Sequence, residues 1–204
     1  MVKKEIQIGI IGIQGAISEH KTIFEKTLKK TNTKGIIKII KKPEDIGRLD
    51  GLVIPGGEST TISSKLIDTG LFDEIKKRII QKNLPIMGTC AGCVILAKKI
   101  KNNNKNVELL KAVDMKVERN SFGRQKESFE QYIKIKGFNK PFNAVFIRAP
   151  IILETWNKCE ILSDIDKRIV MVRQNNFLAL SFHPELTDDI RIHEYFLKII
   201  KKNF

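Results

Sequence analysis

Between positions 84 and 97 the chain reads Leu-Pro-Ile-Met-Gly-Thr-Cys-Ala-Gly-Cys-Val-Ile-Leu-Ala, an order that few local architectures accommodate. A short apolar run, Leu84 to Met87, meets Gly88-Thr89-Cys90-Ala91-Gly92 and passes at once into the apolar helix formers Val94 to Ala97. A strand that turns straight into a helix crowds its neighbours, and residues without a Cβ relieve the crowding. The pattern is strand, tight turn, helix, with cysteine in the central slot of a G-x-Nu-x-G nucleophile elbow. At the start of a helix, unpaired N–H groups and the helix dipole favour a thiolate. The plainer alternative is a buried free cysteine in a β-α unit, where Cys often sits.

A candidate base stands near the other end of the chain, in Leu178-Ala-Leu-Ser-Phe-His-Pro-Glu-Leu186. His183 and Glu185 are two positions apart, so an extended backbone would turn both side chains to one face. Pro184 cannot donate a ladder hydrogen bond and places this segment at a strand end or edge. A carboxylate beside an imidazole can fix its tautomer while the imidazole works on a thiol. A loop histidine beside a solvated glutamate is the plainer reading. With only 3 His in 204 residues, however, one inside such a motif carries weight.

The rest of the composition removes several classes. A chain of 204 residues, 42% of them apolar, can bury a real core. No segment approaches the ~18 uninterrupted apolar residues of a membrane span. Met1-Val-Lys-Lys-Glu-Ile-Gln-Ile runs directly into a strand pattern without the apolar core of a signal peptide. Cys90, Cys93 and Cys159 are too sparse for a disulfide framework and fit a reducing cytoplasm. The net charge of +14 raises nucleic-acid binding. The lysines are spread as pairs (Lys29-Lys30, Lys41-Lys42, Lys76-Lys77, Lys98-Lys99, Lys201-Lys202) without a recognition motif, so a solvated basic surface is expected.

In chain order, Ile6–Ile11 is an apolar run of the kind found in central parallel strands. A Gly12–Ala16 loop follows, then a helix from about Ser18 to Lys30 and strands over Gly35–Ile40 and Gly51–Ile54. The third strand ends in Pro55-Gly56-Gly57-Glu58-Ser59-Thr60-Thr61, where Ser/Thr can cap a helix and consecutive N–H groups can face an oxyanion. A phosphate loop lacks its lysine here. A helix over Leu71–Lys82 leads to the elbow, and a polar loop, Lys101–Asn106, follows it. The second half reads as strands over Met115–Glu118, Phe129–Ile135, Ala144–Arg148, Ile169–Arg173 and Phe177–Ser181, with a tight hairpin at Asn175-Asn176. Thr187 is expected to cap a last helix reaching about Lys202, whose apolar stripe (Ile190, His193, Phe196 or Leu197, Ile200) makes His193 structural.

Gly56-Gly57-Glu58-Ser59-Thr60, Gly88-Thr89-Cys90-Ala91-Gly92 and His183-Pro184-Glu185 together resemble the triad (class I) glutamine amidotransferases. Four further blocks are similar to the glutaminase subunits of pyridoxal 5′-phosphate synthases: Ile11–Ala16, Arg119–Gln125, Val145–Pro150 and Ser181–Leu186. Together these blocks run from Ile11 to Leu186. The departure from the expected pattern is Cys93, where an aliphatic residue is usual. The resemblance implies an α/β fold in one domain over 1–204: a three-layer, flavodoxin-like sheet flanked by helices, with an additional strand-rich second half.

It also implies roles. Cys90, His183 and Glu185 would form the catalytic triad for glutamine hydrolysis, with the N–H groups of Gly56, Gly57 and Ala91 as oxyanion donors. Gly57, Glu58, Ser59, Arg119, Ile147 and Arg148 would contact L-glutamine. Arg119 has a chemical rationale as well, since guanidinium is the bidentate partner of an α-carboxylate. Gln14 would face the partner, a (β/α)8-barrel synthase subunit that consumes the ammonia in a large hetero-oligomer. Neither metal nor cofactor is implied, nor any nucleic acid or membrane. Ammonia delivery to another synthase, a cysteine hydrolase or protease sharing the elbow, and a non-enzymatic scaffold remain as alternatives.

Overall fold

The computed structural model describes residues 5–81, 83–102, 106–119 and 128–203. Its first half alternates strand and helix: β1 (Ile6–Ile11), α1 (Ile17–Lys30), β2 (Gly35–Ile40), β3 (Gly51–Ile54), α2 (Ser59–Asp68), α3 (Leu71–Ile80), β4 (Ile86–Thr89) and α4 (Ala91–Leu96). The second half is mostly strand: β5 (Ala97–Ile100), β6 (Val113–Glu118), β7 (Ser128–Ile133), β8 (Phe142–Ile147), β9 (Ile151–Thr155), β10 (Glu160–Ile165), β11 (Arg168–Gln174) and β12 (Phe177–Leu180). The helix α5 (Arg191–Lys201) follows. The main sheet runs β2-β1-β3-β4-β12-β11-β9-β6-β5, with β10 added on β11, and β7 and β8 form a separate hairpin. From β2 to β12 every pairing is parallel; β11, β9 and β6 then follow antiparallel, and edge strand β5 joins β6 in parallel.

Both faces of β1, β3, β4 and β12 are covered, which explains their continuous apolar runs, whereas edge strand β2 leaves Ile36 and Ile39 exposed. Along β1, Ile6, Ile8 and Ile10 pack on one side with Phe24 and Leu28 of α1 and Phe196 of α5. Ile11 turns to the other side, with Leu52, Ile54, Ile62 and Leu66. The β7–β8 hairpin adds Phe142 and Phe146 to the first face, whereas α2, α3 and α4 cover the second. The result is the three-layer α/β architecture expected from the sequence. Among the described residues no helix is long and apolar enough to cross a membrane.

Several local expectations need correction. The elbow strand lies over Ile86–Thr89, two residues later than its apolar run suggests, because the β3 and β12 ladders pair these residues. The elbow helix is only six residues long and passes straight into β5, an edge strand whose adjacent Lys98 and Lys99 resemble a helix end. No sequence pattern announces β9 or β10. Of the expected polar loop at 101–106, residues 103–105 lie outside the described residues. Neither Ser59 nor Thr187 caps its helix: the cap positions are Glu58 and Ile190, without side-chain caps. Thr187 instead accepts from Asp189 N at 3.3 Å, and Asp189 Oδ1 takes the Arg191 N–H at 3.0 Å. The hairpin at Asn175-Asn176 is present, with Asn175 at φ 53° and Gln174 opposite Phe177.

Candidate active site

The carboxyl ends of four parallel strands converge at one edge of the sheet, the usual ligand position in open α/β folds. Strand β1 delivers Gln14, β3 delivers Gly56 to Ser59, β4 delivers Cys90, and β12 delivers His183. The pairing of β4 with β12, Thr89 opposite Leu180, sets Cys90 and His183 near each other although they are far apart in the chain.

Cys90 occupies the junction of β4 and α4 with φ 48° and ψ −103°. Positive φ is uncommon outside glycine, and a strained strand-to-helix turn is what holds an elbow side chain clear of its helix. Its backbone is fixed by Cys90 N donating to Leu180 O at 2.8 Å. The flanking glycines meet a steric demand. A Cβ on Gly88 would lie 2.6 Å from the Gly92 carbonyl, and one on Gly92 would collide with the Ile54 carbonyl. Cys90 is 7% exposed, and its Sγ lies 3.7 Å from Ile147 O. That carbonyl is aimed by Arg148, which holds φ 45°.

His183 closes the site from β12. Residues Pro184–Leu186 form a 3-10 turn rather than the extended segment expected, because Pro184 sits at its first position with φ suited to a turn. The turn still brings the side chains together: His183 Nδ1 and Glu185 Oε1 are 2.8 Å apart. Cys90 stands close enough to the His183 ring to act on its charge. Burial acts to lower the imidazole pKa. Cys90 and Glu185 outweigh it and raise the pKa to about 10, so the imidazolium is the favoured form. Burial likewise works to raise the Glu185 carboxyl, but His20 and His183 hold it below its ordinary value. Gly56 packs against both partners. A Cβ there would strike the His183 ring and lie 3.2 Å from Cys90 Cβ.

The Gly56-Gly57 turn is tied to the loop after β1. Gln14 Oε1 accepts the Glu58 N–H at 3.0 Å, and Gly57 holds φ 147°. Gly15, at φ 102°, lies so close to Gly56 O that any Cβ would overlap it. Arg119 donates from Nη2 to Glu58 Oε1 at 2.7 Å, so these two expected glutamine contacts engage each other. Residues 120–125 of the expected Arg119–Gln125 block lie outside the described residues. Gly57, Glu58, Ser59, Cys90, Ala91, Arg119 and Arg148 all line one cavity of about 20 Å³; Ile147 is not part of that lining and meets the site only where its carbonyl faces Cys90 Sγ. That is room for about one water molecule, and the Arg119–Glu58 bridge lies along its lining. A larger hollow of about 490 Å³ lies between α1 and residues 185–188, away from Sγ.

The site also holds residues that no sequence pattern marks. His20 of α1 approaches Glu185 from behind, and Thr89 stands beside it. A lone histidine in a helix pattern gives no signal; the scarcity of histidine in the chain is the one available clue. Cys93 is fully buried beneath the elbow, and burial pushes its thiol up out of reach of ionisation. Among the described residues, no group of three or more His, Cys, Asp or Glu side chains is placed to hold a metal ion.

A family model described as the SNO glutamine amidotransferase family matches residues 10–202. The "Pyridoxal 5′-phosphate synthase subunit PdxT" of Fervidobacterium nodosum is 47% identical over 96% of this chain and 97% of its own length. The protein of the same name from Pyrococcus furiosus is 48% identical over 96% of this chain and 99% of its own length. Among solved structures, a glutamine amidotransferase superposes with a TM-score of 0.86 at 40% identity, covering 95% of this chain and 98% of that one. A glutamine amidotransferase from Thermotoga maritima, at 15% identity and a TM-score of 0.62, shares the fold over 98% of this chain and 86% of its own. On the length and strength of these matches, this chain belongs to the SNO glutamine amidotransferase family.

Proposed function

We propose that this chain is the glutaminase subunit of a pyridoxal 5′-phosphate synthase: it hydrolyses L-glutamine and hands the ammonia to a synthase subunit for vitamin B6 synthesis. The single observation that carries the chemistry is His183, held between Cys90 and Glu185 on neighbouring strand ends. In this reading the Cys90 thiolate attacks the side-chain amide carbon of glutamine. The His183 imidazolium gives its proton to the departing ammonia, leaving a γ-glutamyl thioester. His183, now neutral, takes a proton from water, and the resulting hydroxide displaces the thiolate to release glutamate. Glu185 keeps the imidazole in one tautomer and stabilises its charged form.

The tetrahedral oxyanion requires backbone donors, each worth about 3 to 4 kcal/mol. The Cys90 N–H is already committed to Leu180 O, which leaves Ala91 and the Gly56-Gly57 turn for this role. Glutamine would displace the Glu58–Arg119 bridge, with Arg119 taking the α-carboxylate, Glu58 facing the α-ammonium, and Gly57, Ser59, Ile147 and Arg148 enclosing the rest. Gln14, which holds Glu58 N, links this turn to the face offered to a (β/α)8-barrel synthase subunit in a hetero-oligomer. The chain would work in the cytoplasm as one glutaminase domain, without metal or cofactor of its own.

The test is glutamate release by the purified chain with and without the synthase subunit of the same source. Release that depends on Cys90 and is coupled to pyridoxal 5′-phosphate formation supports the reading. Release without any such coupling points to a different ammonia acceptor.

A further inference from the structure

All three histidines of this chain meet in one place, and the proposed chemistry uses only one of them. His20 projects from the first turn of α1 and is 0% exposed. Its Nε2 lies 3.4 Å from Glu185 Oε2 and 3.3 Å from the hydroxyl of Thr89, the residue before Cys90. His193 of α5 stands edge-on to His20 at 5.7 Å, and Phe24 stands edge-on to His193 at 4.7 Å. The rear of Glu185 is therefore walled by imidazole and aromatic rings.

A buried carboxylate stays ionised only where donors meet its oxygens. Glu185 Oε1 has His183. Glu185 Oε2 is buried without a hydrogen bond of good geometry, and the donor that faces it is the His20 ring. The His20 tautomer follows from that arrangement. A proton on Nδ1 would leave the bare Nε2 lone pair against a carboxylate, so Nε2 carries the hydrogen and Nδ1 is bare.

We propose that His20 is a positioning residue for the reaction: through Nε2–H it holds the Glu185 carboxylate ionised and aimed at His183, and so sets how readily the Cys90–His183 pair separates charge. This role rests on the glutaminase reading of those three residues. The electrostatics agree with it. Burial, opposed by Glu185 and Glu19 and joined by His183, lowers the His20 pKa, so the ring is a neutral donor at neutral pH. His193 is lowered further by burial and by His20, and contributes no charge. The titratable groups around His20 are Glu185 and His183 from the turn after β12, Glu19 from its own helix and His193 from α5. Thr89 of β4 adds a neutral hydroxyl to this shell.

The experiment compares wild type with His20→Leu, which removes the donor, and His20→Gln, whose amide nitrogen can stand where Nε2 stands. His20→Met replaces the leucine variant if that one fails to melt cooperatively. The first readout is the alkylation rate of Cys90 by iodoacetamide from about pH 5 to about pH 10, which needs neither glutamine nor a partner. The second is kcat and KM for glutamine in the presence of the synthase subunit. We expect the apolar variant to lose about tenfold in both alkylation at neutral pH and kcat, well below the ~10⁴ typical of removing an orienting carboxylate itself. Its alkylation limb should move to higher pH, its KM should hold within about twofold, and His20→Gln should recover most of the rate. A folded apolar variant with a wild-type pH profile overturns the proposal, as does a folded glutamine variant that rescues nothing. If Cys90 in the wild type is alkylated no faster than Cys93 or Cys159, the glutaminase reading itself falls, and this role with it.

Discussion

Cys90 illustrates how much of a site can be invested in one residue's backbone. Its φ of 48° and its N–H bond to Leu180 O are retained by any small side chain, so Cys90→Ala should fold normally. Glutamine hydrolysis should fall by roughly 10⁴-fold or more, the size seen when a covalent nucleophile is deleted. Cys93→Ala and Cys159→Ala should keep most of the activity, and an assay of all three separates nucleophile from core cysteine. Arg119→Lys retains a charge but loses the planar fork. Glutamine binding should weaken by about 1 to 3 kcal/mol, read as a higher KM; an unchanged KM in Arg119→Ala would remove Arg119 from the substrate. His183 makes a prediction about stability. Its pKa, raised to about 10 from 6.5, means that its stabilising interactions are complete below about pH 6.5 and are lost as pH rises toward 10. The melting temperature should decline over that window, and His183→Asn should flatten the decline.

At the level of elements, the glycines about the elbow are a packing requirement. Gly92→Ala puts a methyl group against the Ile54 carbonyl, a backbone atom that cannot swing aside. Overpacking of this kind costs about 1 to 3 kcal/mol, and the melting temperature of that variant should fall along with activity. The elbow and the four strands that carry the site are legible in the sequence because each is a short apolar run bounded by polar or glycine-bearing turns, and α1 because its apolar residues recur at helical spacing. Other elements are not. Ala97–Ile100 carries two lysines and is a strand only because β6 pairs it, while Glu160–Ile165 contains a register shift that blurs its alternation. His183-Pro184-Glu185 stands out as a motif, yet its alternation reads as an extended segment, whereas Pro184 at the first position makes it a 3-10 turn. The Glu58–Arg119 bridge and the place of His20 behind Glu185 are invisible, because no local pattern records which residues two distant strands bring face to face.

For the whole molecule, the small site cavity, the Arg119–Glu58 bridge across its lining and the Gln14 tie to Glu58 argue that the resting chain is a poor enzyme. A single misdirected oxyanion donor lowers a rate by about 10² to 10³. Adding the synthase subunit should therefore raise glutamate release at least about tenfold, on the low side of that effect. Gln14→Ala should blunt the rise without touching Cys90, whereas full activity of the lone chain would remove any switch. The placement of β12 has a further result for how the molecule comes into being. This strand is among the last to leave the ribosome, yet it is inserted between β4 and β11 at the middle of the sheet. Until it arrives, β4 is an open edge able to recruit a foreign strand, and Cys90 lacks the base that the proposed chemistry assigns to it. On the proposed triad, a chain interrupted during synthesis would be left inert toward glutamine but prone to aggregation, and a nascent fragment ending before His183 would spill no ammonia.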